Sequence, residues 1–240
     1  MLCDAAAAAF RLVDQVAEGV VRLVNSMGEH RIACRRGCNA CCMVFVRATH
    51  AEATAIAAWL LAPEQSERLE RFREQVAERH AAVGAEVATL EELVTRHDIL
   101  PPPEPESRPY VEATRTYGRR KLMCPFNAGD GSCEIYPFRP VVCRVCYVAD
   151  TSEYCFPDAN REASVVRHAK LTEIVHLALR VLREASAAAG HDTVSALPGG
   201  VERALSALEG VPRQTLPDFV RPAFSNPRMS LESDFISNTG

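Results

Sequence analysis

Four cysteines fall within nine residues of the stretch CRRGCNACC, and this density constrains the chain more than any other feature. Cys34, Cys38, Cys41 and Cys42 follow the spacing C-x3-C-x2-C-C. A two-residue spacer lets both thiolates face one ion while the backbone between them turns, and its N–H groups can bond the sulfurs. Gly37 eases such a turn. The stretch therefore predicts metal or redox chemistry in a short loop.

A second group of cysteines lies far downstream with the spacing C-x8-C-x9-C-x2-C. Its members are Cys124, Cys133, Cys143 and Cys146. Together the two groups supply seven or eight thiolates, too many for one tetrahedral ion. They suit two four-coordinate sites, or one cubane cluster with spare thiols. We take all eight as candidate ligands for zinc or iron, an iron–sulfur cluster included; Cys3 and Cys155 are expected to be small apolar residues.

The adjacent pair Cys41 and Cys42 is less usual than the rest of the group. Neighbouring side chains on an extended backbone point apart. The two thiols therefore bind different metals, or one binds a metal while the other lies in the core. A vicinal disulfide between them would be strained. Whether they share one metal is left open by the sequence.

Nothing in the 240 residues indicates export or membrane insertion. The N-terminal stretch lacks a basic start, and Asp4, Arg11 and Asp14 interrupt its apolar run. No run of about 18 apolar residues exists. We therefore expect a cytoplasmic protein, in which clustered thiols stay reduced and serve metal or redox chemistry rather than disulfides. The net charge of −4 predicts neither nucleic-acid binding nor attraction to a membrane.

Apolar periodicity predicts a mainly α fold, with two cysteine-rich loops joined by a metal site and little β structure beyond short pieces such as MVFVR. Helices are expected at about 4–26, from Thr49 with Glu52 completing a capping box, from Pro63 with a break near Gly84, at about 161–189 before Gly190, and at 199–209. On the 161–189 helix, one side is predicted to carry Val175, Ala178, Val181, Leu182 and Ala185.

Residues 1–210 are expected to form a single domain that contains the motif region at 34–150. Within it, residues 101–109 form a stiff proline-rich linker, and 110–160 is expected to be rich in loops. Residues 211–240 are predicted to be an extended, mobile tail. Its phenylalanines are expected to pack loosely against the body, and docking on a protein partner is the alternative; they are Phe219, Phe224 and Phe235.

Several arginines flank the cysteines. They are Arg35, Arg36, Arg47, Arg139 and Arg144. A zinc ion with four thiolates carries a formal charge of −2, so nearby cations are expected to balance it. The alternative is that these arginines lie at the surface because arginine is common in this chain. His30, four residues before Cys34, is a further candidate ligand.

The two groups together resemble the bacterial CxxCxxCC cysteine-cluster family, also called YkgJ-like proteins. The second half of that family's pattern reads C-P, then C-x-I-Y-x-x-R-P-x-x-C-R. Here it is matched by Cys124, Pro125, Cys133, Ile135, Tyr136, Arg139, Pro140, Cys143 and Arg144. This chain departs from the family name in the three-residue spacer between Cys34 and Cys38. The resemblance covers about 34–150.

The resemblance implies a zinc- or iron-chelating domain. A related branch comprises flagellin lysine N-methylases, which makes a metal-dependent or iron–sulfur enzyme of protein modification the alternative function. Within IYPFRP, the Tyr136–Pro137 and Arg139–Pro140 steps predict an extended, bent path. Tyr136, Arg139 and Arg144 are expected to surround the ligands, with Arg139 bonding sulfurs or backbone carbonyls. The chain contains no Walker loop, GxGxxG, HExxH or G-x-S-x-G motif, so catalytic residues stay unknown.

Overall fold

A computed structural model describes residues 1–28, 31–35, 37–96, 108–149, 151–156, 163–191 and 194–209. These ranges contain seven α-helices and one two-stranded sheet, which confirms the mainly α fold. In chain order the elements are α1 (Leu2–Ser26), β1 (Arg47–Thr49), α2 (His50–Leu60), α3 (Ser66–Arg96), α4 (Arg108–Arg119), α5 (Val141–Arg144), α6 (Ala169–Ala188), β2 (Val194–Ala196) and α7 (Leu197–Leu208). The expected tail at 211–240, with its three phenylalanines, lies outside the described residues, as does most of the linker expected at 101–109.

Helix α1 covers the range expected from its apolar spacing. Its buried face includes Phe10, Val13 and Val20, while the charged positions other than Asp14 point outward. The small residues Ala6 and Ala17 on the same face let neighbouring helices approach closely. This face packs mainly against α6 and α2. Among the described helices, none is long and apolar enough to cross a membrane.

Helix α2 begins at the capping box predicted from the sequence. Thr49 caps the helix, and the Glu52 carboxylate accepts hydrogen bonds from the Thr49 N–H at 2.7 Å and its hydroxyl at 2.9 Å. Apart from Trp59, every residue from Ala51 to Leu60 is buried. The helix is rich in alanine, so it fits between α1, α6 and α7 with little side-chain bulk.

A short antiparallel pair connects the two halves of the chain. Strand β1 pairs with β2 so that Arg47 lies opposite Ala196 and Thr49 opposite Val194. Of the predicted β piece MVFVR, only Arg47 belongs to a strand. Each strand leads directly into a helix, β1 into α2 and β2 into α7, and these two helices pack together. The pair therefore fixes the entry of both helices into the core.

Helix α3 follows a 3-10 turn at Pro63–Gln65 and is kinked at Val83, one residue before the predicted break at Gly84. Helix α4 packs against it, and this corrects the expectation of a loop-rich segment from residue 110 onward. Tyr110, Ala113 and Tyr117 recur at helical spacing and pack in one apolar cluster with residues of α3. That short amphipathic pattern outweighed the local loop signals.

Helix α6 begins at Ala169, later than the expected position near residue 161. The stretch before it is held extended, because Val165 pairs with Val148 and the Val166 N–H donates to the Tyr147 carbonyl at 2.9 Å. The buried stripe of α6 also differs from the predicted one. The predicted members Ala178 and Leu182 are buried, but Val181 is 41% exposed, and the stripe also contains Leu171, Ile174 and Leu179. Gly190 ends the helix region with a positive φ, as predicted.

Aromatic contacts hold the second cysteine segment against the helices. Phe126 stacks on Phe72 of α3 with ring centroids 5.0 Å apart, and Phe138 packs on Trp59 of α2 at 5.5 Å. Arg79 of α3 donates to the carbonyls of Leu122 and Met123. The start and the middle of this segment are therefore fixed by α2 and α3 before any metal is considered.

Candidate metal centre

The two cysteine groups meet at a first junction between the CRRGCNACC loop and the loop that begins at Cys124. The Cys124 N–H donates to the Cys42 carbonyl at 2.8 Å. The Asn127 side-chain amide lies 3.7 Å from the Cys42 sulfur, within hydrogen-bonding range of it. The backbones of Gly37 and Gly131 also touch, since a Cβ on Gly131 would lie 2.6 Å from the Gly37 carbonyl oxygen.

A second junction brings the start of the first group to the end of the second. Ile32 pairs with Ala149, and the Ala33 N–H donates to the Val148 carbonyl at 2.8 Å. One residue further on, the Cys34 thiol faces the Cys146 carbonyl at 3.7 Å. Residues 32–34 thus run beside residues 146–149, and the two loops are joined at both ends.

The Cys41–Cys42 pair lies in a 3-10 turn at Ala40–Met43, so the extended backbone assumed from the sequence is wrong at this point. The turn closes through the Cys42 N–H donating to the Asn39 carbonyl at 2.9 Å. The tight winding keeps the two adjacent thiols within reach of each other, and Cys42 hydrogen-bonds the Cys41 sulfur. All ten cysteines are free thiols in this structure, Cys41 and Cys42 among them.

The second loop presents its cysteines from a compact turn and from α5. Asn127 bridges to Cys133, and Asp130 accepts from the backbone and hydroxyl of Ser132. The predicted extended path through IYPFRP is only partly correct. Tyr136–Phe138 form a 3-10 turn, and the extended backbone begins at Arg139 before α5 carries Cys143. The turn places the Phe138 ring against α2, where it is buried.

The thiols fall into two sets, and within each set the charge of one thiol raises the pKa of others. The inner thiol set, as we name it, consists of Cys42, Cys124, Cys133 and Cys143. The outer thiol set consists of Cys34, Cys38, Cys146 and Cys155. Cys41 belongs to neither set, and its charge raises the pKa of thiols in both. The CRRGCNACC loop therefore contributes thiols to both sets.

Enclosure by protein atoms keeps most of these thiols protonated at neutral pH. Desolvation raises the pKa of Cys124 to about 12 and that of Cys143 well above its ordinary value. Cys41 is the exception, because the hydrogen bond from Cys42 and the charge of Arg139 lower its pKa to about 7. A bound cation would supply the charge that the other thiols need to ionise.

Two backbone N–H groups already point at sulfur in the inner thiol set. Phe126 donates to the Cys124 sulfur and Ile135 to the Cys133 sulfur, and each bond opposes the rise in pKa caused by desolvation. Hydrogen bonds of this kind stabilise thiolates in metal sites. The inner thiol set therefore has both the donor atoms and the surrounding dipoles that a thiolate-bound metal requires.

Among the residues that the structure describes, Arg139 is the cation whose charge acts on the most thiols. Its guanidinium lies 3.9 Å from the centre of the Tyr136 ring. Its charge lowers the pKa of cysteines in both sets and of Cys41; they are Cys34, Cys41, Cys133 and Cys143. Tyr136 and Arg139 thus lie together beside the thiols.

Arg144 has a different place from the one expected. Its side chain is only 2% exposed, donates to Asp14 of α1 and to the Pro137 and Arg139 carbonyls, and lies over the Phe10 ring at 4.1 Å. Its charge also lowers the pKa of Cys133, though less than Arg139 does. Its main effect is to fasten the second loop to α1.

Four residues that shape the site were not among the predicted site residues: Glu52, Arg79, Asn127 and Cys155. Glu52 is 1% exposed, and its second carboxylate oxygen accepts from the Val141 N–H at 2.8 Å, which ties α5 to α2. Desolvation raises the pKa of this carboxyl. Arg79 and Asn127 brace the second loop as described above. Only Cys155 carried a usable signal, because cysteines in a cysteine-rich segment tend to act together.

The described side chains stop short of a formed coordination sphere. Within the ranges given above, no three Cys, His, Asp or Glu side chains are arranged to hold a metal ion directly. Two of the residues weighed from the sequence, His30 and Arg36, lie outside those ranges. Cys3 is 2% exposed in the main apolar core, as expected of a small apolar residue.

The structure is a helical domain in which two cysteine-rich loops, distant in the sequence, lie together, as expected of a cysteine-cluster protein. The family model named CxxCxxCC, described as a "putative zinc- or iron-chelating domain", matches residues 33–162. The chain therefore belongs to the CxxCxxCC family, and the match includes Cys155 together with all eight candidate ligands. That description supports metal binding without choosing the metal. No curated protein and no solved structure matches the chain.

Proposed function

We propose that the protein binds zinc or iron in a thiolate site that its two cysteine groups build jointly. The inner thiol set, with Cys41 beside it, supplies the ligands. The observation that carries this proposal is the junction between Cys42 and Cys124, where a 2.8 Å backbone hydrogen bond brings the first group against the second. Reduced thiols are required, and the cytoplasm is the compartment that we propose.

Charge balance supports the same assignment. Four thiolates on a divalent ion leave a formal charge of −2, and Arg139 lies where its charge already favours ionised Cys133 and Cys143. The N–H groups of Phe126 and Ile135 add dipoles directed at two of the sulfurs. When bound, the metal would keep these thiols ionised at neutral pH, and its binding free energy would add to that of folding.

The test begins with the full chain purified without oxygen and without added metal. Elemental analysis, acid-labile sulfide and an absorption spectrum are measured on the same sample. Zinc without colour supports a zinc site, whereas iron with labile sulfide and visible absorption supports an iron–sulfur cluster. Folded protein that carries neither metal and takes up neither on reconstitution would contradict the proposal.

Matched variants then locate the site. Cys133→Ser removes one ligand of the inner thiol set and is expected to weaken metal binding at least about tenfold. Cys3→Ala is the control, because Cys3 is buried in the apolar core away from both sets. Equal metal content in the two variants and the wild type would refute the assignment of the inner thiol set.

The second candidate is a metal-dependent or iron–sulfur enzyme acting in protein modification. The observation in its favour is a small pocket lined in part by Cys42, Cys124, Arg79 and Tyr117. A catalytic metal keeps an open position, whereas a structural one is closed. Imidazole or azide would change the visible spectrum of the iron-loaded or cobalt-substituted protein if a position is open. An unchanged spectrum favours the closed binding site.

A further inference from the structure

We propose that the outer thiol set (Cys34, Cys38, Cys146 and Cys155) is a second metal site, separate from the inner one and open to exchange with solvent. This inference rests on the proposed function, since it takes the inner thiol set as the first site. The ligand class is a soft divalent cation such as Zn²⁺, because every donor is sulfur.

The first part of the outer thiol set is placed by backbone pairing. The Ala33 N–H bonds the Val148 carbonyl at 2.8 Å, and the Cys34 thiol lies 3.7 Å from the Cys146 carbonyl. These contacts fix the Cys34 and Cys146 backbones side by side. Cys38 is brought back toward this region by a turn in which its N–H donates to the Arg35 carbonyl at 3.0 Å.

Cys155 joins from a segment that follows the eight-cysteine pattern. It ends a 3-10 turn at Glu153–Cys155, closed by its N–H donating to the Ser152 carbonyl at 3.0 Å. This turn contacts the 3-10 turn at Ala40–Met43. Ala40 follows Cys38 by two residues, so this contact brings the Cys155 turn close to Cys38 as well. The three segments that carry these four thiols therefore meet in one region.

The outer thiol set is separate from the inner one in its packing. Cys124 and Cys133 pack against the main apolar core, whereas Cys146 is exposed at the surface. The exposure of Cys146 predicts faster metal release from the outer thiol set, because chelator and water reach this ligand without opening the core.

The experiment is a Co²⁺ titration of reduced, metal-free full chain, followed by native mass spectrometry and by the d–d absorption of thiolate-bound cobalt. Wild-type protein is expected to bind two ions, and a chelator is expected to remove the first at least about tenfold faster than the second. The double variant Cys146→Ser/Cys155→Ser should lose the fast ion alone. Cys3→Ala, the control, should keep both.

The outcomes separate this inference from the proposed function. One ion in wild type, with the double variant unchanged, overturns the outer site and leaves the inner one intact. No ion in either protein overturns both. If the metal-free chain unfolds, the metal content of both proteins as purified, measured by elemental analysis, gives the same comparison. Two ions retained by the double variant with unchanged release rates would likewise refute the outer site.

Discussion

Replacing Gly131 by alanine tests how the two cysteine loops are held together. Gly131 has φ +84°, and a Cβ there would lie 2.6 Å from the Gly37 carbonyl oxygen. Ordinary contact begins at 3.4 Å, so the loops would have to separate by about 0.8 Å. The contact is with backbone atoms, so a side-chain movement cannot relieve the strain.

The expected cost has two parts. An alanine with a left-handed backbone costs about 1 kcal/mol. Forcing the loops apart adds a further penalty, for a total loss of about 2–4 kcal/mol in the free energy of unfolding of the metal-loaded protein. Cys133 is two residues from Gly131 and Cys38 is next to Gly37, so metal affinity is expected to fall at least about tenfold as well, equivalent to 1.4 kcal/mol.

Urea unfolding followed by circular dichroism measures the first quantity, and competition with a chelator measures the second. Two neighbouring glycines provide matched controls. Gly129→Ala meets nothing within 4 Å, and Gly37→Ala, at φ +81°, meets only the Asp130 carbonyl oxygen at 3.7 Å. We expect Gly129→Ala to match the wild type and Gly37→Ala to show the backbone strain alone. If Gly131→Ala is no more destabilised than Gly37→Ala, the close approach of the loops is not as described.

Three further predictions concern the buried arginine, the thiol protons and the cysteine doublet. Arg144→Met leaves Asp14 without its buried partner and should lower the free energy of unfolding by about 3–5 kcal/mol, measured in urea; an unchanged value would show that the loop is not fastened through this residue. Zinc binding to the inner thiol set at pH 7.5 should release about four protons per ion, because desolvation keeps its thiols protonated, and affinity should therefore fall as pH falls. Proton release is measured with a dye in weak buffer, and release of fewer than two would contradict the raised pKa values. Cys41→Ser should weaken both metals and Cys42→Ser only the inner one, measured by the Co²⁺ titration; equal effects of the two variants would refute the separation of the sets.

The sequence predicted the helices wherever an apolar stripe and a cap coincide. Helices α1 and α2 show this, since the spacing in α1 and the Thr49–Glu52 box fixed their positions closely. It failed where a distant segment decides the local conformation. Residues before α6 look helical by composition, yet Val165 and Val166 pair with Val148 and Tyr147 instead. Such pairing depends on contacts between segments far apart in the chain, which local periodicity does not record.

The candidate ligands could be chosen from spacing, but their grouping could not. Spacing suggested that Cys143 and Cys146 face one ion, as a two-residue linker normally allows. Their surroundings differ. Cys143 lies in α5 and belongs to the inner thiol set, whereas Cys146 lies after α5, is exposed and is next to Cys34. The burial of Arg144 was also hidden, since its partner Asp14 is on α1, more than a hundred residues away.

The Cys41–Cys42 doublet acquires a physical reason from its turn. Extended backbone would point the two thiols apart, whereas the 3-10 turn at Ala40–Met43 keeps them side by side. Cys42 is then directed to the inner thiol set, where Cys124 and Cys133 act on its pKa. Cys41, ionised more easily than its neighbours and acted on by Arg139, lies where both sets sense its charge. Two adjacent cysteines therefore allow one tight turn to place a thiol in the inner set and a second thiol near both sets. A single cysteine at this position could not do both.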